Sequence, residues 1–384
     1  MEIFWFIVLT FMLGIYIVLD GYDFGAGIVH LFFARTEQEK RAVTNAIGPF
    51  WDANEVWLIA AGGVLFFAFP TLYASSFSGF YLPLMLVLWL LIFRAVSLEL
   101  RGQVHHRLWE ALWDRAFGLA SFLLALFFGA ALGNVVRGVN LGMVENGMST
   151  QEPHYFFLAL WNPTFDPLAE HQGIIDWFTI ILGLVAVVTL TIHGAGWVIL
   201  KTSSSLNLRL KNIIFKLNFV LLTLVILSAY VWHYVKPISL HNLQNHYWLW
   251  IFPTIAMAGL VGQFWIRSFK KDGIGFLFSS LFILGSFATT VASMFPTMLP
   301  STNTLNPSLT IHNAAAHEYG LSVGLGWFIF AAVLVVAYFI VQFRVFKGKL
   351  DDVGYGEHEL PAAFTFLAND FSSQAEPIQS YFLL

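Results

Sequence analysis

From residue 4 to residue 343 the sequence returns nine times to apolar runs close to a membrane-spanning length. A helix needs roughly 20 such residues to cross the hydrocarbon core of a bilayer. Inside lipid the backbone must satisfy its own polar groups, so such runs fold as helices. The runs cover residues 4–33, 56–73, 80–97, 117–136, 174–200, 213–235, 248–266, 274–298 and 321–343. Only 11% of residues are charged and 58% are hydrophobic, whereas a soluble domain carries roughly 25% charged residues. The chain is therefore expected to be an all-α polytopic membrane protein with nine transmembrane helices. The first run is too long for a signal peptide and reads as a true span. Cysteine is absent, which excludes disulfides, iron–sulfur clusters, thiolate metal ligands and covalent c-type haem attachment. No basic tract is large enough for nucleic acid.

Lys and Arg sort by side. They follow runs one, three, five, seven and nine, from Arg35, Lys40 and Arg41 to Arg344, Lys347 and Lys349, while the opposite side holds only Arg137 and Lys236. The positive-inside rule then places the N-terminus outside and the C-terminus in the cytoplasm. Two short echoes, Gly25-Ala26-Gly27 with Gly194-Ala195-Gly196 and Phe69-Pro70-Thr71 with Phe295-Pro296-Thr297, fit two four-helix bundles plus one peripheral helix. The expected units are a first four-helix bundle (1–139), an outer loop (140–173), a second four-helix bundle (174–298), an outer segment with the ninth helix (299–349) and a flexible cytoplasmic tail (350–384).

Two carboxylates, Asp20 and Asp23, lie inside the first run. Such groups cost several kcal/mol in lipid unless they face protein or water. On this orientation they fall towards the cytoplasm, as do Asp52 and Glu55 at the start of run two and Arg94 and Glu99 at the end of run three. Carboxylates gathered beside a cation suit a proton entry path. Each has a plainer reading. Asp20 and Asp23, at i,i+3, share a helix face and could bond a neighbouring helix. Asp52 and Glu55 have capping-box spacing. Arg94 could snorkel. Trp51 and Trp57 fit interface anchors, Gly21 and Gly25 a close-packing face, and Gly62-Gly63 another close approach. Asn134 fits a bond between helices.

His193 is the one histidine well inside a run, and no two runs offer facing mid-membrane histidines, so a bis-histidine haem has no evident seat. Met85 and Met257 are further ligand candidates, although buried Met usually packs. No P-loop, nucleophile elbow or HExxH motif occurs.

The stretches Leu19-Asp20-Gly21-Tyr22-Asp23-Phe24-Gly25, Trp51-Asp52-Ala53-Asn54-Glu55-Val56-Trp57-Leu58-Ile59, Phe69-Pro70-Thr71-Leu72-Tyr73-Ala74, Ser78-Gly79-Phe80-Tyr81, Met294-Phe295-Pro296 and Asn306-Pro307-Ser308-Leu309-Thr310 together resemble subunit II of the cytochrome bd quinol oxidases, along nearly the whole membrane part. The resemblance implies a respiratory complex that oxidises quinol and reduces oxygen to water. Haem b and haem d would sit in the partner, subunit I, and none on this chain. By the same resemblance the acid at Asp52 belongs to proton delivery from the cytoplasm, Asp20 and Asp23 to the same polar neighbourhood, and Trp57 to a hydrophobic oxygen route. A bound quinone is implied for some members, with no residue assigned to it. Small single-span subunits are further expected partners. The segment 312–318 and the tail depart from the family pattern.

The expected function is thus a non-haem membrane subunit that is not catalytic alone, in the cytoplasmic membrane of a bacterium or archaeon. The alternatives are an ion-coupled secondary transporter, for which matched Gly/Pro-broken spans are not evident, and a purely structural assembly subunit.

Overall fold

The protein is described here by a computed structural model covering residues 1–104, 106–203, 205–236 and 241–350. His105 and the expected tail beyond Leu350 lie outside the described residues. The helices are α1 (Glu2–Phe32), α2 (Glu37–Ile47), α3 (Trp51–Ala68), α4 (Pro70–Gly79), α5 (Tyr81–Arg101), α6 (Arg107–Arg137), α7 (Trp177–Lys201), α8 (Leu206–Val235), α9 (His241–Asn245), α10 (Ile251–Gly262), α11 (Gly273–Met294) and α12 (Glu318–Val345). Short 3₁₀ turns extend α10 at both ends, so that one apolar rod runs over Tyr247–Trp265.

Among the described residues eight helices are long and apolar enough to cross a membrane: α1, α5, α6, α7, α8, the α10 rod, α11 and α12. The remaining expected run, 56–73, is divided between α3 and α4. Pro70 opens α4. It has no N–H to continue the ladder from α3, and its ring disfavours helical backbone at Phe69. Phe69 accordingly leaves the helix at φ −133° and ψ 61°. At the matching echo α11 likewise ends with Phe295 as its C-cap before Pro296, but the chain continues into a strand instead of a helix.

α1 and α7 cross where Gly25 meets Gly194. A Cβ on Gly25 would collide with the Leu190 carbonyl oxygen and the Gly194 backbone, and a Cβ on Gly194 would collide with the Gly25 backbone. Small residues let helices approach this closely in a membrane, where packing replaces the hydrophobic effect as the force holding helices together. α6 closes the centre. Gly129 lies against the Leu182 carbonyl of α7, and Gly27 of α1 lies against Ser121. α8 and α11 pack on α7, α10 packs on α11, and α5 packs on α6. By contrast, no part of the most apolar stretch of α12 is buried. Its ends are tied down by Trp5 Nε1, which donates to the Leu321 carbonyl at 3.1 Å, and by Gln342 Nε2, which donates to the Pro49 carbonyl at 2.8 Å.

At the Arg137 end of the bundle, six short strands form three two-stranded pairs: β1 (Val144–Glu145) with β2 (Met148–Ser149), β3 (Ala159–Trp161) with β4 (Gly173–Ile175), and β5 (Thr297–Leu299) with β6 (Leu309–Thr310). The two segments expected as outer loops knit together. Val139 N–H donates to the Pro300 carbonyl at 3.0 Å, and Asn306 Nδ2 donates to the Leu141 carbonyl at 2.9 Å. Asn134, expected to bond between helices, instead holds the entry of α7 by donating to the Ile174 carbonyl at 2.9 Å.

Among the described residues two capping boxes occur, at Thr36/Glu39 before α2 and at Asp176/Thr179 before α7. The Asp52/Glu55 pair is not one of them. Phe50 is the N-cap of α3 and makes no side-chain cap, so Asp52 lies within the first turn and Glu55 is free for another partner. Beyond their own helical turn, Gly62 and Gly63 have no atom of the described residues within 4 Å of where a Cβ would stand. Among the described residues no other helix approaches them.

Candidate functional site

α1 carries Asp20 and Asp23 inward on one face, and α3 and α5 bring their partners. The Arg94 guanidinium donates to Asp20 Oδ1 at 2.6 Å through Nη1, and its Nη2 donates to Glu55. It lies over the Phe24 ring, 4.7 Å from the centroid. Arg94 and Asp20 are wholly buried, while the Glu55 side chain keeps 25% exposure. The snorkelling reading of Arg94 is therefore wrong. α5 packs with this position turned towards α1 and α3, and two carboxylates take the place of water around the cation.

Asp23 is equally buried and takes a different partner. Asn54 Nδ2 donates to Asp23 Oδ2 at 2.8 Å and to the Tyr22 hydroxyl at 2.7 Å. Asp20 Oδ2, Asp23 Oδ1, Asn54 Oδ1 and Arg94 Nε have no protein partner among the described residues. The cluster sets three carboxyls against one guanidinium. Were all ionised, carboxylate charge would exceed the cation's in a region where uncompensated charge is costly.

Asp52 and Glu99 are not part of this cluster. Both are exposed. Asp52 stands on α3 one turn before Glu55, and Glu99 lies beyond Arg94 on α5. Trp57 is half-buried, its ring 5.6 Å from Phe339 of α12, with its indole N–H unpartnered among the described residues. Sequence reasoning missed Asn54, although it stands in a quoted motif and is an amide between two acids.

It also missed Asp114. α6 begins at Arg107, ten residues before the expected run, so Asp114 faces α1 from a helix instead of lying in a loop. Its carboxylate takes Arg101 Nε at 2.5 Å, Lys40 Nζ at 2.8 Å and His30 Nε2 at 3.2 Å. Burial opposes the charge of Lys40, but Asp114 and Glu37 hold its ammonium above the usual lysine range. Nearby, burial works against the Glu39 carboxylate, yet the Arg35 N–H at 2.7 Å and Arg209 at 2.6 Å hold it below the usual glutamate range.

His193 does not fit a haem ligand. One ring nitrogen pairs with Ser279 Oγ and the other with the Val18 carbonyl, each at 2.8 Å, so neither is free for iron. Among the described residues no three His, Asp or Glu side chains are grouped to hold a metal.

With this geometry in place, the chain can be compared with known proteins. The family model described as cytochrome bd terminal oxidase subunit II matches residues 1–346. A Haemophilus influenzae protein named probable cytochrome oxidase subunit 2 is 30% identical over 375 residues, covering 91% of this chain and 94% of its own length. The cytochrome bd-I ubiquinol oxidase subunit 2 of Escherichia coli K12 is 30% identical over 348 residues, covering 84% and 87%. The cytochrome bd ubiquinol oxidase subunit 2 of Bacillus subtilis 168 is 30% identical over 322 residues, covering 83% and 88%.

Proposed function

The chain belongs to the cytochrome bd terminal oxidase subunit II family, and from that premise we propose that it is the non-haem membrane subunit of a quinol:oxygen oxidoreductase, helping to deliver cytoplasmic protons to a haem-bearing subunit I. The carrying observation is the buried chain Asp20–Arg94–Glu55, which has one end accessible and one end sealed. Glu55 is the open end. Asp52, exposed one turn away on the same helix, extends that opening towards water or the partner. Arg94 fixes the Glu55 carboxylate by charge and is itself anchored by Asp20, and Asn54 holds Asp23 beside them. A group with more carboxyls than cations can take up and release protons, and side-chain hydrogen bonds keep its members within relay distance.

In this reading nine helices cross the membrane, α3 being the shortest, with the N-terminus outside and the C-terminus in the cytoplasm. The reciprocal Gly25–Gly194 contact supports two related four-helix units, 1–139 and 174–298, meeting about an axis between α1 and α7. The haems belong to the partner, a placement supported by the occupied ring of His193. The partner surface is supported by uncovered apolar side chains: Trp327, Phe330 and Val333 on α12, Trp89 and Phe93 on α5, and Ile59 beside the open Gly62-Gly63 face of α3.

Complete burial of Asp20 and Arg94 also favours a second reading, in which their ion pair only locks α1 to α5. Turnover separates the two. In a purified complex with normal haem spectra, Glu55→Gln and Asp52→Asn should each slow quinol-driven oxygen consumption. Unchanged consumption in both variants leaves only the structural role.

A further inference from the structure

The Arg137 end of the bundle holds two adjoining clefts that share one residue, Lys236, at the C-terminal end of α8. The larger, about 520 Å³, is polar at Arg137, Asn140, Glu170, Gln172 and Asn303. The smaller, about 310 Å³, is lined in part by Val136, Trp232, Met294 and Phe295. Together they have the volume of a small-molecule site, and polar and apolar side chains line both, with a cation where they meet.

Lys236 and Glu170, both in the lining of the larger cleft, are not paired with each other. Arg137 is committed to Asp176, to Asn134 Oδ1 at 2.7 Å and to the Gly173 carbonyl at 3.1 Å. The Lys236 ammonium has no ion-pair or hydrogen-bond partner among the described residues, its backbone N–H alone being committed, to the Trp232 carbonyl at 2.8 Å. Burial alone pulls its ammonium below the usual lysine range, as expected for a cation lacking an anion. The same cleft offers the complementary sign. Glu170 is exposed and carries no bond among the described residues. Gln172 is 7% exposed; its Nε2 donates to the Pro167 carbonyl at 2.8 Å, which leaves a buried Oε1 without a donor. An acceptor and a carboxylate in a cleft that also carries a lone ammonium call for a zwitterion. The place is a membrane–water interface: α8 ends here, Trp177 packs 6.3 Å from Tyr234, and Tyr230 and Tyr234 are left facing outward. Such aromatic belts mark headgroup level.

We propose that the two clefts form one seat for a phospholipid with a primary-ammonium headgroup, its phosphate on Lys236, its ammonium on Glu170 and Gln172 Oε1, and its glycerol and upper chains along Val136, Trp232 and Met294. The seat is independent of the proton-delivery reading, since none of its residues touches Asp20, Arg94 or Glu55.

The test is lipid retention by the purified complex, read by native mass spectrometry after a delipidating detergent wash and add-back. Phosphatidylethanolamine should be retained in preference to phosphatidylglycerol. Lys236→Gln should weaken retention roughly five- to tenfold, the loss of one charge-assisted interfacial contact, and Lys236→Arg should restore it. Glu170→Gln should shrink the preference for phosphatidylethanolamine while leaving lipid bound. Melting temperature reports whether Lys236→Gln still folds; if it does not, the Glu170→Gln result decides. Equal retention of the two lipids by the wild-type complex overturns the zwitterion assignment. Full displacement by soluble phosphoethanolamine overturns the membrane source, and unchanged retention in a folded Lys236→Gln complex overturns the site.

Discussion

Arg94 offers a quantitative test of how the buried cluster is held. Replacing it with Gln removes the guanidinium from between Asp20 and Glu55, both of which it contacts directly. Breaking a buried ion pair by deleting one partner costs about 3–5 kcal/mol, because the other charge is left uncompensated. Asp20→Asn is milder. The amide keeps the shape, Arg94 keeps Glu55, and one hydrogen bond to a charged group is weakened, at about 1.5–3 kcal/mol. Since the two residues share one contact, the double variant should cost less than the sum of the singles. The shortfall should be roughly 1–3 kcal/mol, as for directly coupled pairs. Denaturant titration of the detergent-purified protein, followed by tryptophan fluorescence, measures all four corners of the cycle. Additivity within about 0.5 kcal/mol, the range for independent sites, would show that Arg94 and Asp20 are not energetically coupled and would remove the basis for treating the cluster as a unit.

Other perturbations test separate parts of the structure. Gly25→Ala should lower the melting temperature, because the added methyl meets α7 backbone and overpacking costs about 1–3 kcal/mol; Gly196→Ala, whose Cβ would stand 3.5 Å from Phe276, should leave it nearly unchanged. Equal effects would deny the α1–α7 crossing. Glu39 and Asp272 are held below their ordinary ranges: burial opposes both, but Arg209 and the Arg35 N–H outweigh it at Glu39, and Lys349 and Lys211 outweigh it at Asp272. A depressed folded-state pKa stabilises above the unfolded value and loses that effect as pH falls through the folded one. Melting temperature should therefore hold from neutrality to about pH 4.5 and fall below it, an acid loss that Glu39→Gln should reduce; an unaltered acid limb in that variant would contradict the assignment.

Sequence read the fold well where one physical rule acts alone. Helix length, lipid compatibility and the Gly25 and Gly194 tripeptides all follow from local composition. It read less well where tertiary context decides. Run 56–73 looked continuous because its residues are apolar, but Pro70 breaks the helix there. Asp114 escaped notice because the apolar part of α6 begins after it, while the helix itself begins before. Arg94 looked like a snorkelling side chain because sequence gives its depth and not its facing. Only the packing of α5 turns it towards Asp20. Asp52 and Glu55 looked equivalent at capping spacing, and a rotation about α3 exposes one and buries most of the other.

We propose that Glu55, held by the Arg94 that Asp20 anchors, passes protons to a partner's oxygen chemistry. Proton uptake during a single oxygen pulse tests it most directly, with the fully reduced complex in vesicles and a pH-sensitive dye reporting. With haem spectra intact, Glu55→Gln should slow uptake by roughly tenfold or more, as removal of a proton-transfer group does. Uptake at the wild-type rate in a spectrally normal Glu55→Gln complex would contradict it.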